Sequence, residues 1–242
     1  MIHLTSLKNP IVQRAQRIRT DKAFRHAEGL CLVLGDHLVK EISQTTPIDT
    51  LFTLVPYQNP PAKETFFVNG EIFEKIVGVS CHDKLAALVE IPPFSPLQGE
   101  RILVFDRLQD PGNLGTLIRT MEAFGFDQAY FLDETVDPFN EKVIRASMGA
   151  VFRVRLAKGN LDTLLKYNIS LIGADMGGTS ISHFEISTPF ALVLGHEGQG
   201  LSKELKKNVK TVKIPMLPPV ESLNVAQAGA ILLYFLGKTR GL

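Results

Sequence analysis

The sequence lacks the features that mark zinc-binding, disulfide-stabilised, secreted and membrane-spanning proteins. Its two cysteines, Cys31 and Cys81, lie far apart and form no CxxC pair, so neither a zinc site nor a disulfide framework is indicated. No apolar run approaches the ~18 residues of a membrane-spanning helix, and the first residues hold no apolar core of signal-peptide length. We expect a soluble, cytoplasmic protein with no bound metal and no membrane partner.

The sequence also lacks an excess of charge of either sign. Its formal net charge is +1, so the chain as a whole has no basic character and any basic surface must be local. One basic cluster follows Asn9-Pro10 on a predicted helix and comprises Arg14, Arg17, Arg19, Lys22 and Arg25. Such a cluster alone is more often a solvent-exposed helix face. The alternative is a local surface that binds nucleic acid.

A single proline-rich segment divides the chain. Hydrophobic residues make up 45% of the 242 residues, which is typical of a folded protein. Residues 91–99 hold three prolines and a glycine with almost no charge, a composition that favours a short stiff linker. We predict one module over residues 1–92, a linker over 93–99 and a second module over 100–242.

Apolar runs predict an α/β fold in both modules. The first alternates strands with helices on a small scale, with strands predicted at 30–35, 50–55, 65–69 and 85–91. In the second, strands alternate regularly with helices, which predicts a mostly parallel sheet covered on both faces. Its predicted strands are 101–106, 129–132, 151–156, 170–175, 191–195 and 212–215. Its predicted helices lie near 114–125, 139–147, 161–167, 202–208 and 223–237. Ligands bind such sheets beyond the carboxyl ends of the strands.

The first candidate segment is DPGNLGTLIRTMEAFG, residues 110–125. Asn113 is a competent N-cap, and the apolar residues that follow recur at the spacing of an amphipathic helix. Gly115 and Arg119 are then predicted to share the face opposite the core, with room for close approach of another group at the glycine. An ordinary solvent-exposed arginine above a tolerated glycine is the simpler interpretation of this segment alone.

The second candidate segment is ALVLGHEGQGLS, residues 191–202, in which an apolar strand ends in three glycines. Such a turn exposes backbone amides to a ligand, and Ser202 can cap the next helix. The segment is neither GxGxxG nor a P-loop, and His196-Glu197 lacks the second histidine of HExxH, so zinc is not indicated. A tight structural turn with an exposed Glu197 is an equally good interpretation.

The third candidate segment is VKIPMLPPVESLNVAQAGAILLYFLG, residues 212–237. Its prolines predict a stiff loop that could wall a flat ligand, and Ser222 or Asn224 can cap the helix that follows. That helix is apolar on every face, so it must be buried against its own sheet or a second subunit. Its small residues would allow close helix packing; they are Ala226, Ala228, Gly229 and Ala230.

Together the three segments resemble the SpoU/TrmH family of RNA 2′-O-ribose methyltransferases, which belong to the SPOUT class. The family has three motifs in a fixed order along the chain. They are N-x-G-x-x-x-R-T-x-x-A-F-G, L-V-x-G-x-E-x-x-G-L-S and I-P-M-x-G-x-x-x-S-L-N-V-S. The first motif is matched by Asn113, Gly115, Arg119, Thr120, Ala123, Phe124 and Gly125. The second is matched by Leu192, Val193, Gly195, Glu197, Gly200, Leu201 and Ser202. The third is matched by Ile214, Pro215, Met216, Ser222, Leu223, Asn224 and Val225. The first module resembles the ribosomal-protein-like substrate-binding domain often fused to these enzymes. Beside an RNA-modifying domain, the basic cluster of the first module is predicted to bind RNA; it comprises Arg14, Arg17, Arg19, Lys22 and Arg25.

This resemblance implies a fold, a cofactor and a set of site residues. The second module would contain a deep C-terminal trefoil knot and form a homodimer with the active site near the interface. S-adenosyl-L-methionine would be the cofactor, contacted by Ala174, Gly195, Ile214, Met216 and Leu223. The catalytic residues would be Arg119 at the centre with Asn113, Glu197, Ser222 and Asn224. The reaction would methylate a ribose 2′-hydroxyl of RNA, with large-subunit rRNA favoured by the separate first module.

Two residues depart from the family pattern. Pro218 stands where the family has glycine, and Ala226 stands where it usually has serine. Pro218 removes a backbone amide and fixes φ in the cofactor loop. Two alternatives therefore stay open: the same chemistry on tRNA, and an RNA-binding or assembly factor with weak catalysis. The group that accepts the 2′-hydroxyl proton, Glu197 or water, is also open.

Overall fold

The computed structural model describes residues 2–56, 60–80 and 82–237, and the chain folds into two compact units. One unit comprises residues 1–92 together with 137–152, and the other comprises 93–136 and 153–242. The first unit thus includes a segment, 137–152, that lies in the second half of the sequence. Cys31 is buried in the first unit, whereas Cys81 lies outside the described residues.

The elements before the linker belong to the first unit. They are β1 (Ile2–Leu4), α1 (Pro10–Thr20), α2 (Lys22–Glu28), β2 (Leu30–Leu34), α3 (Asp36–Ile42), β3 (Ile48–Thr53), β4 (Glu64–Val68), α4 (Gly70–Val77) and β5 (Leu85–Glu90). The strands form one mixed sheet in the order β1-β4-β3-β5-β2. Four of its strands follow the predicted apolar runs, because Val, Ile, Leu and Phe favour a pleated, buried surface. The short strand β1 and the helix α4 were not predicted.

The elements after the linker complete the chain. They are β6 (Arg101–Phe105), α5 (Pro111–Ala123), β7 (Gln128–Phe131), α6 (Glu141–Ala146), β8 (Arg155–Lys158), α7 (Leu161–Lys166), β9 (Ser170–Ser180), β10 (Phe190–Leu194), α8 (Lys203–Lys206), β11 (Lys210–Lys213) and α9 (Val225–Gly237). Helix α6 belongs to the first unit and packs against β2. Among the described residues of both units, no helix is long and apolar enough to cross a membrane.

The second unit is built on a parallel sheet, as the strand–helix alternation predicts. Its strand order is β11-β9-β10-β6-β7-β8, and each neighbouring pair runs parallel. The central strands β6 and β10 are buried along their whole length, which explains why every residue after Arg101 in β6, and every residue in β10, is apolar. The carboxyl ends of β9, β10 and β11 therefore lie along one edge of the sheet.

The predicted strand 151–156 is wrong in its position. Residues 150–152 form a short 3-10 turn in the first unit, and the strand β8 begins only at Arg155. Met148 and Gly149 both have positive φ, 48° and 75°, which turns the chain before it reaches Val151. Val151 is buried in that turn, so its apolar character reflects packing in the first unit and not a place in the parallel sheet.

The ladder between β9 and β11 contains an irregularity that shapes the site. Pairing jumps from Gly173 to Thr179 on β9 between the consecutive β11 residues Thr211 and Val212. Residues 174–178 therefore bulge out of the ladder. Gly178 permits this path, because a Cβ there would stand 2.5 Å from the Thr211 carbonyl carbon.

Helix α9 packs against α5 through its small residues. A Cβ at Gly229 would lie 2.3 Å from Leu117 Cδ2 and 2.8 Å from Leu194 Cδ1, so this contact requires glycine. Ala226 and Gly229 are buried within their own chain, and the exposed apolar side of α9 carries larger residues, Ile231, Tyr234 and Phe235. Of the four small residues, Ala226 and Gly229 are therefore covered within their own chain, whereas Ala228 and Ala230 are half-buried. The pairing of this helix with a second subunit stays a prediction. The trefoil knot stays a prediction.

Candidate active site

A cavity of about 410 Å³ opens at the carboxyl ends of β10 and β11, beside the bulge of β9. Its volume falls in the ~300–1,000 Å³ range of small-molecule sites. All five predicted cofactor contacts line it: Ala174, Gly195, Ile214, Met216 and Leu223. Among the residues that the structure describes, no group of three or more His, Cys, Asp or Glu side chains is placed to hold a metal ion.

The glycine-rich turn after β10 forms one wall of the cavity. His196 and Gly200 pair through their backbones, with N···O distances of 3.1 and 2.8 Å. The chain closes so tightly that a Cβ on Gly195 would stand 2.3 Å from the Gly200 carbonyl carbon, so position 195 requires glycine. Gly198 N–H donates to His196 Nδ1 at 3.0 Å. The result is a braced turn that presents backbone atoms to the cavity.

Glu197 ties this turn to the loop before α5. Its Oε1 accepts a hydrogen bond from Asp110 N at 3.0 Å and one from Asn113 Nδ2 at 3.2 Å, and its Oε2 accepts one from Gln109 N at 3.3 Å. Burial raises the pKa of Glu197, but hydrogen bonds from the Asp110 backbone, its own backbone and the Asn113 side chain outweigh that effect and lower it. The carboxylate is thus held ionised.

The prediction that Asn113 caps α5 is wrong, because Asp110 takes that place. Asp110 Oδ1 accepts from Asn113 N at 2.7 Å, and Pro111 occupies the first helical position, where its fixed φ suits the helix and its missing N–H costs no hydrogen bond. The Asn113 side chain is consequently free to reach Glu197 and to accept from Asn224 Nδ2 at 3.0 Å. A hydrogen-bonded chain, Glu197–Asn113–Asn224, therefore links all three sequence motifs.

Asn224 and Ser202 act as the predicted helix caps. Asn224 Oδ1 accepts from Ala226 N at 2.9 Å at the start of α9, and the Ser202 hydroxyl accepts from Leu205 N at 3.3 Å at the start of α8. Ser222 lines the cavity instead of capping α9. The departure at Pro218 lies at an exposed position, and Met216 and Ser222 on either side of it reach the cavity.

Arg119 lies on the exposed side of α5 and outside the cavity lining. Within the described chain it has no hydrogen-bond or ion-pair partner, which leaves its guanidinium free to bind another molecule. The prediction that Gly115 shares its exposed face is wrong. Gly115 is buried, because α9 packs on α5 and gives that helix a second covered side.

Two residues of the site were missed at the end of β6. Asp106 is 3% exposed, and its Oδ2 accepts from Ser202 N at 2.7 Å. Arg107 donates to Asp106 Oδ1 at 3.1 Å and to Gly200 O at 3.4 Å, with a positive φ of 58° that turns its side chain back toward the glycine-rich turn. The available signal was a charged pair, Asp106 and Arg107, directly after the apolar run of residues 102–105.

A second missed pair lies in the cavity wall itself. Lys206 Nζ stands 2.7 Å from Asp175 Oδ2, and both residues line the cavity. The Lys206 ammonium and the Gly177 backbone N–H lower the pKa of Asp175 below its usual range. The signal in the sequence was an acidic residue just beyond the apolar start of β9.

The structure separates the five basic residues predicted to bind RNA. Arg25 is 3% exposed and forms an ion pair with Asp137 at 2.8 Å, while it also donates to Ile18 O at 2.7 Å. Its assignment to an RNA-binding surface is therefore wrong, because its guanidinium is buried and its donors are engaged. Arg25 instead joins α2 to the segment 137–152 within the first unit.

The other four residues of the cluster differ in exposure. Arg14 pairs with Glu28 at 2.7 Å, and Arg19 is half-buried against Gly78. Arg17 is exposed, pairs with Asp21 at 3.4 Å and lies over the Phe24 ring at 4.1 Å. Lys22 is exposed. Arg17 and Lys22 are thus the members best placed to meet a phosphate.

Comparison with known proteins gives one consistent set of similarities. Residues 100–234 match the sequence model of the SpoU rRNA Methylase family. The chain is 31% identical to the 23S rRNA (guanosine(2553)-2'-O)-methyltransferase RlmP of Bacillus subtilis, over 98% of this chain and 99% of that protein. A crystal structure of an AdoMet-bound rRNA methyltransferase from Sinorhizobium meliloti is similar, with 28% identity and a TM-score of 0.87. The match covers 99% of this chain and 98% of that one. The structure of a putative TrmH-family RNA methyltransferase from Porphyromonas gingivalis shows 30% identity and a TM-score of 0.83. The match covers 96% of this chain and 98% of that one.

Proposed function

Because this chain belongs to the SpoU rRNA methylase family, we propose that it transfers a methyl group from S-adenosyl-L-methionine to a ribose 2′-hydroxyl of RNA. The observation that carries the proposal is the cavity itself. Loops from separate sequence motifs line it, and the hydrogen-bonded chain Glu197–Asn113–Asn224 runs between those loops. The sheet places this cavity beyond the carboxyl ends of its strands, where α/β proteins bind ligands.

The chemistry of the cavity fits the proposed cofactor. Its apolar wall, which includes Leu194, Val212 and Leu232, suits a flat purine. The turn at Gly195 offers backbone atoms that can form hydrogen bonds with the edge of the purine. We assign the contacts to the residues that line it: Ala174, Gly195, Ile214, Met216 and Leu223. S-adenosyl-L-methionine supplies an activated methyl group on a sulfonium. The protein must then align a ribose oxygen with that methyl group.

Arg119 is the proposed catalytic residue. A guanidinium stays protonated in proteins, so it does not act as a base. Its exposed and unpaired donors instead suit an RNA phosphate and the 2′-oxygen as negative charge develops there. Glu197, whose pKa is lowered, is a poor proton acceptor, so we assign it to holding the turn in place. Asn113 and Asn224 position the same loops through their hydrogen bonds, Ser222 faces the cavity, and water takes the proton.

A homodimer is part of this proposal. The exposed side of α9 presents Ile231, Tyr234 and Phe235, which are 42%, 52% and 36% exposed. An apolar patch of this kind marks an association surface, and a two-fold axis would pair it with itself. An active site near the dimer seam, as the family resemblance implies, would explain why Arg119 lies outside the cavity of its own chain.

Large-subunit rRNA is the proposed substrate, and the cytoplasm the proposed location. Support comes from similarity to the B. subtilis 23S rRNA enzyme over both units. The first unit would contribute RNA contacts through Arg17 and Lys22. The test is methyl transfer from labelled cofactor to purified large-subunit rRNA, small-subunit rRNA and tRNA. We expect label in the large-subunit fraction, and label confined to tRNA would contradict this substrate.

A further inference from the structure

The ion pair between Asp175 and Lys206 is a polar feature of the cavity that the proposed mechanism leaves unused. Both side chains line the cavity, with Lys206 Nζ 2.7 Å from Asp175 Oδ2. Asp175 lies in the bulge of residues 174–178, where β9 leaves its ladder with β11. Its position next to Ala174 places the carboxylate beside a proposed cofactor contact.

The Asp175 carboxylate is fixed in orientation but not saturated with hydrogen bonds. Its Oδ1 accepts from Gly177 N at 2.9 Å, and its Oδ2 accepts from Lys206. An ionised carboxylate offers about four acceptor positions, two on each oxygen. Each oxygen of Asp175 therefore keeps one acceptor position, and the two oxygens are adjacent because they belong to the same carboxylate. Glu197 differs, because Gln109, Asp110 and Asn113 already donate to it.

Stability does not account for this pair. The Lys206 side chain is 47% exposed and the Asp175 side chain 22% exposed. Ion pairs this open to solvent contribute little to folding, because water screens the charges and long side chains lose freedom. Their shared place in the cavity wall points to a bound ligand.

We propose that Asp175 binds the ribose of the cofactor, accepting one hydrogen bond from each of its two hydroxyl groups, while Lys206 and Gly177 orient the carboxylate. The inference rests on the proposed function, since it assumes that the cavity holds S-adenosyl-L-methionine. A vicinal diol presents two adjacent O–H donors, which matches the two adjacent acceptor positions. The cofactor's amino group is the competing partner, and it lies on a different part of the molecule.

Calorimetric titration of the full chain separates these partners. Both S-adenosylhomocysteine and 5′-methylthioadenosine contain the ribose, but only S-adenosylhomocysteine contains the amino-acid part with its amino group. We expect Asp175→Asn to weaken both ligands by the same factor, roughly tenfold, because a charge-assisted acceptor is lost. Lys206→Met should weaken both less. Asp162→Asn and Lys207→Met, at exposed positions of the same unit, should bind as wild type.

Two other results of this titration would overturn the inference. A loss confined to S-adenosylhomocysteine would place Asp175 at the amino acid, and no loss for either ligand would remove it from the site. If Asp175→Asn does not fold, wild-type protein titrated with the 2′-deoxy and 3′-deoxy forms of methylthioadenosine decides the matter. Both should bind more weakly than the parent, and equal affinity contradicts the proposal. A folded wild type that binds neither parent ligand would overturn the proposed function as well.

Discussion

At the scale of single residues, Arg119 provides the sharpest test of the proposed chemistry. Arg119→Ala should lower kcat by ~10²–10³, the usual effect of losing a donor to a developing oxyanion. Cofactor affinity should be unchanged, because Arg119 lies outside the cavity lining. Arg119→Lys should not restore activity, since the planar guanidinium fork is lost.

Single-turnover methylation measures the rate, and calorimetry measures cofactor binding in the same preparations. Arg155→Ala removes another exposed arginine of the second unit and should retain activity. Near-normal methylation by Arg119→Ala would remove Arg119 from the mechanism.

Glu197 makes stability depend on pH in a defined direction. Its pKa in the folded chain lies below the ordinary value of 4.5, so its contribution is present above pH 4.5 and is lost as pH falls through the folded-state pKa. Wild type should therefore be more stable to urea than Glu197→Gln at pH 7, and the difference should shrink below pH 4.5. Glu185→Gln, at an exposed position, is the control. A difference that stays constant across this range would contradict the hydrogen-bonding account.

Arg25 should matter for folding and not for RNA contact. The side chains of Arg25 and Asp137, which form an ion pair, are each 3% exposed. Removal of one partner from a buried pair costs about 3–5 kcal/mol. Arg25→Ala should lower the free energy of unfolding by that order, while Lys22→Ala, at an exposed position, should change it by less than about 0.5 kcal/mol. Equal effects of the two substitutions in urea denaturation would show that the buried pair is unimportant.

At the scale of secondary-structure elements, the exposed side of α9 is the proposed dimer surface. Ile231→Glu places a charge in that apolar patch and should convert the dimer to monomers, because an unpaired buried charge opposes association. Gln227→Glu changes a polar exposed residue of the same helix and should leave the dimer intact. Sedimentation at micromolar concentration measures both. A wild type that sediments as an active monomer would contradict the proposed interface.

Elements that are buried along their whole length were the easiest to predict. Strands β6 and β10 lie within a residue of their predicted bounds because both faces of a central parallel strand are covered. The predicted strand at 151–156 was wrong because burial of Val151 in a turn of the first unit imitates a strand residue. The start of α5 was misplaced because two residues of one segment, Asp110 and Asn113, are both good caps, and Pro111 decides between them.

At the scale of the whole molecule, ordered motifs predicted which loops meet, but not the long-range side-chain contacts within each unit. Four of the five proposed cofactor contacts lie in the second and third motifs, Ala174 lies near the end of the predicted strand 170–175, and all five line one cavity. The pairs Arg25–Asp137 and Asp106–Ser202 join residues about a hundred positions apart. Hydrophobic periodicity reports only local structure, so no pattern in the sequence could reveal such long-range partners.

RNA binding by the first unit is also tested on the whole molecule. Replacing both Arg17 and Lys22 by alanine should flatten the slope of log affinity against log salt by up to ~0.7–0.9 per lost phosphate contact. The matched control replaces Lys203 and Lys207, exposed lysines of the second unit, and should leave the slope unchanged. An unchanged slope for the Arg17 and Lys22 variant would count against an RNA-reading role.

The central claim concerns the atom that receives the methyl group. The most direct measurement is mass spectrometry of nucleosides after reaction of the protein with S-adenosyl-L-methionine carrying a labelled methyl group and large-subunit rRNA. Our account predicts a single 2′-O-methylated nucleoside that disappears with Arg119→Ala. A label on a base, or no label from a folded protein that binds S-adenosylhomocysteine, would contradict it.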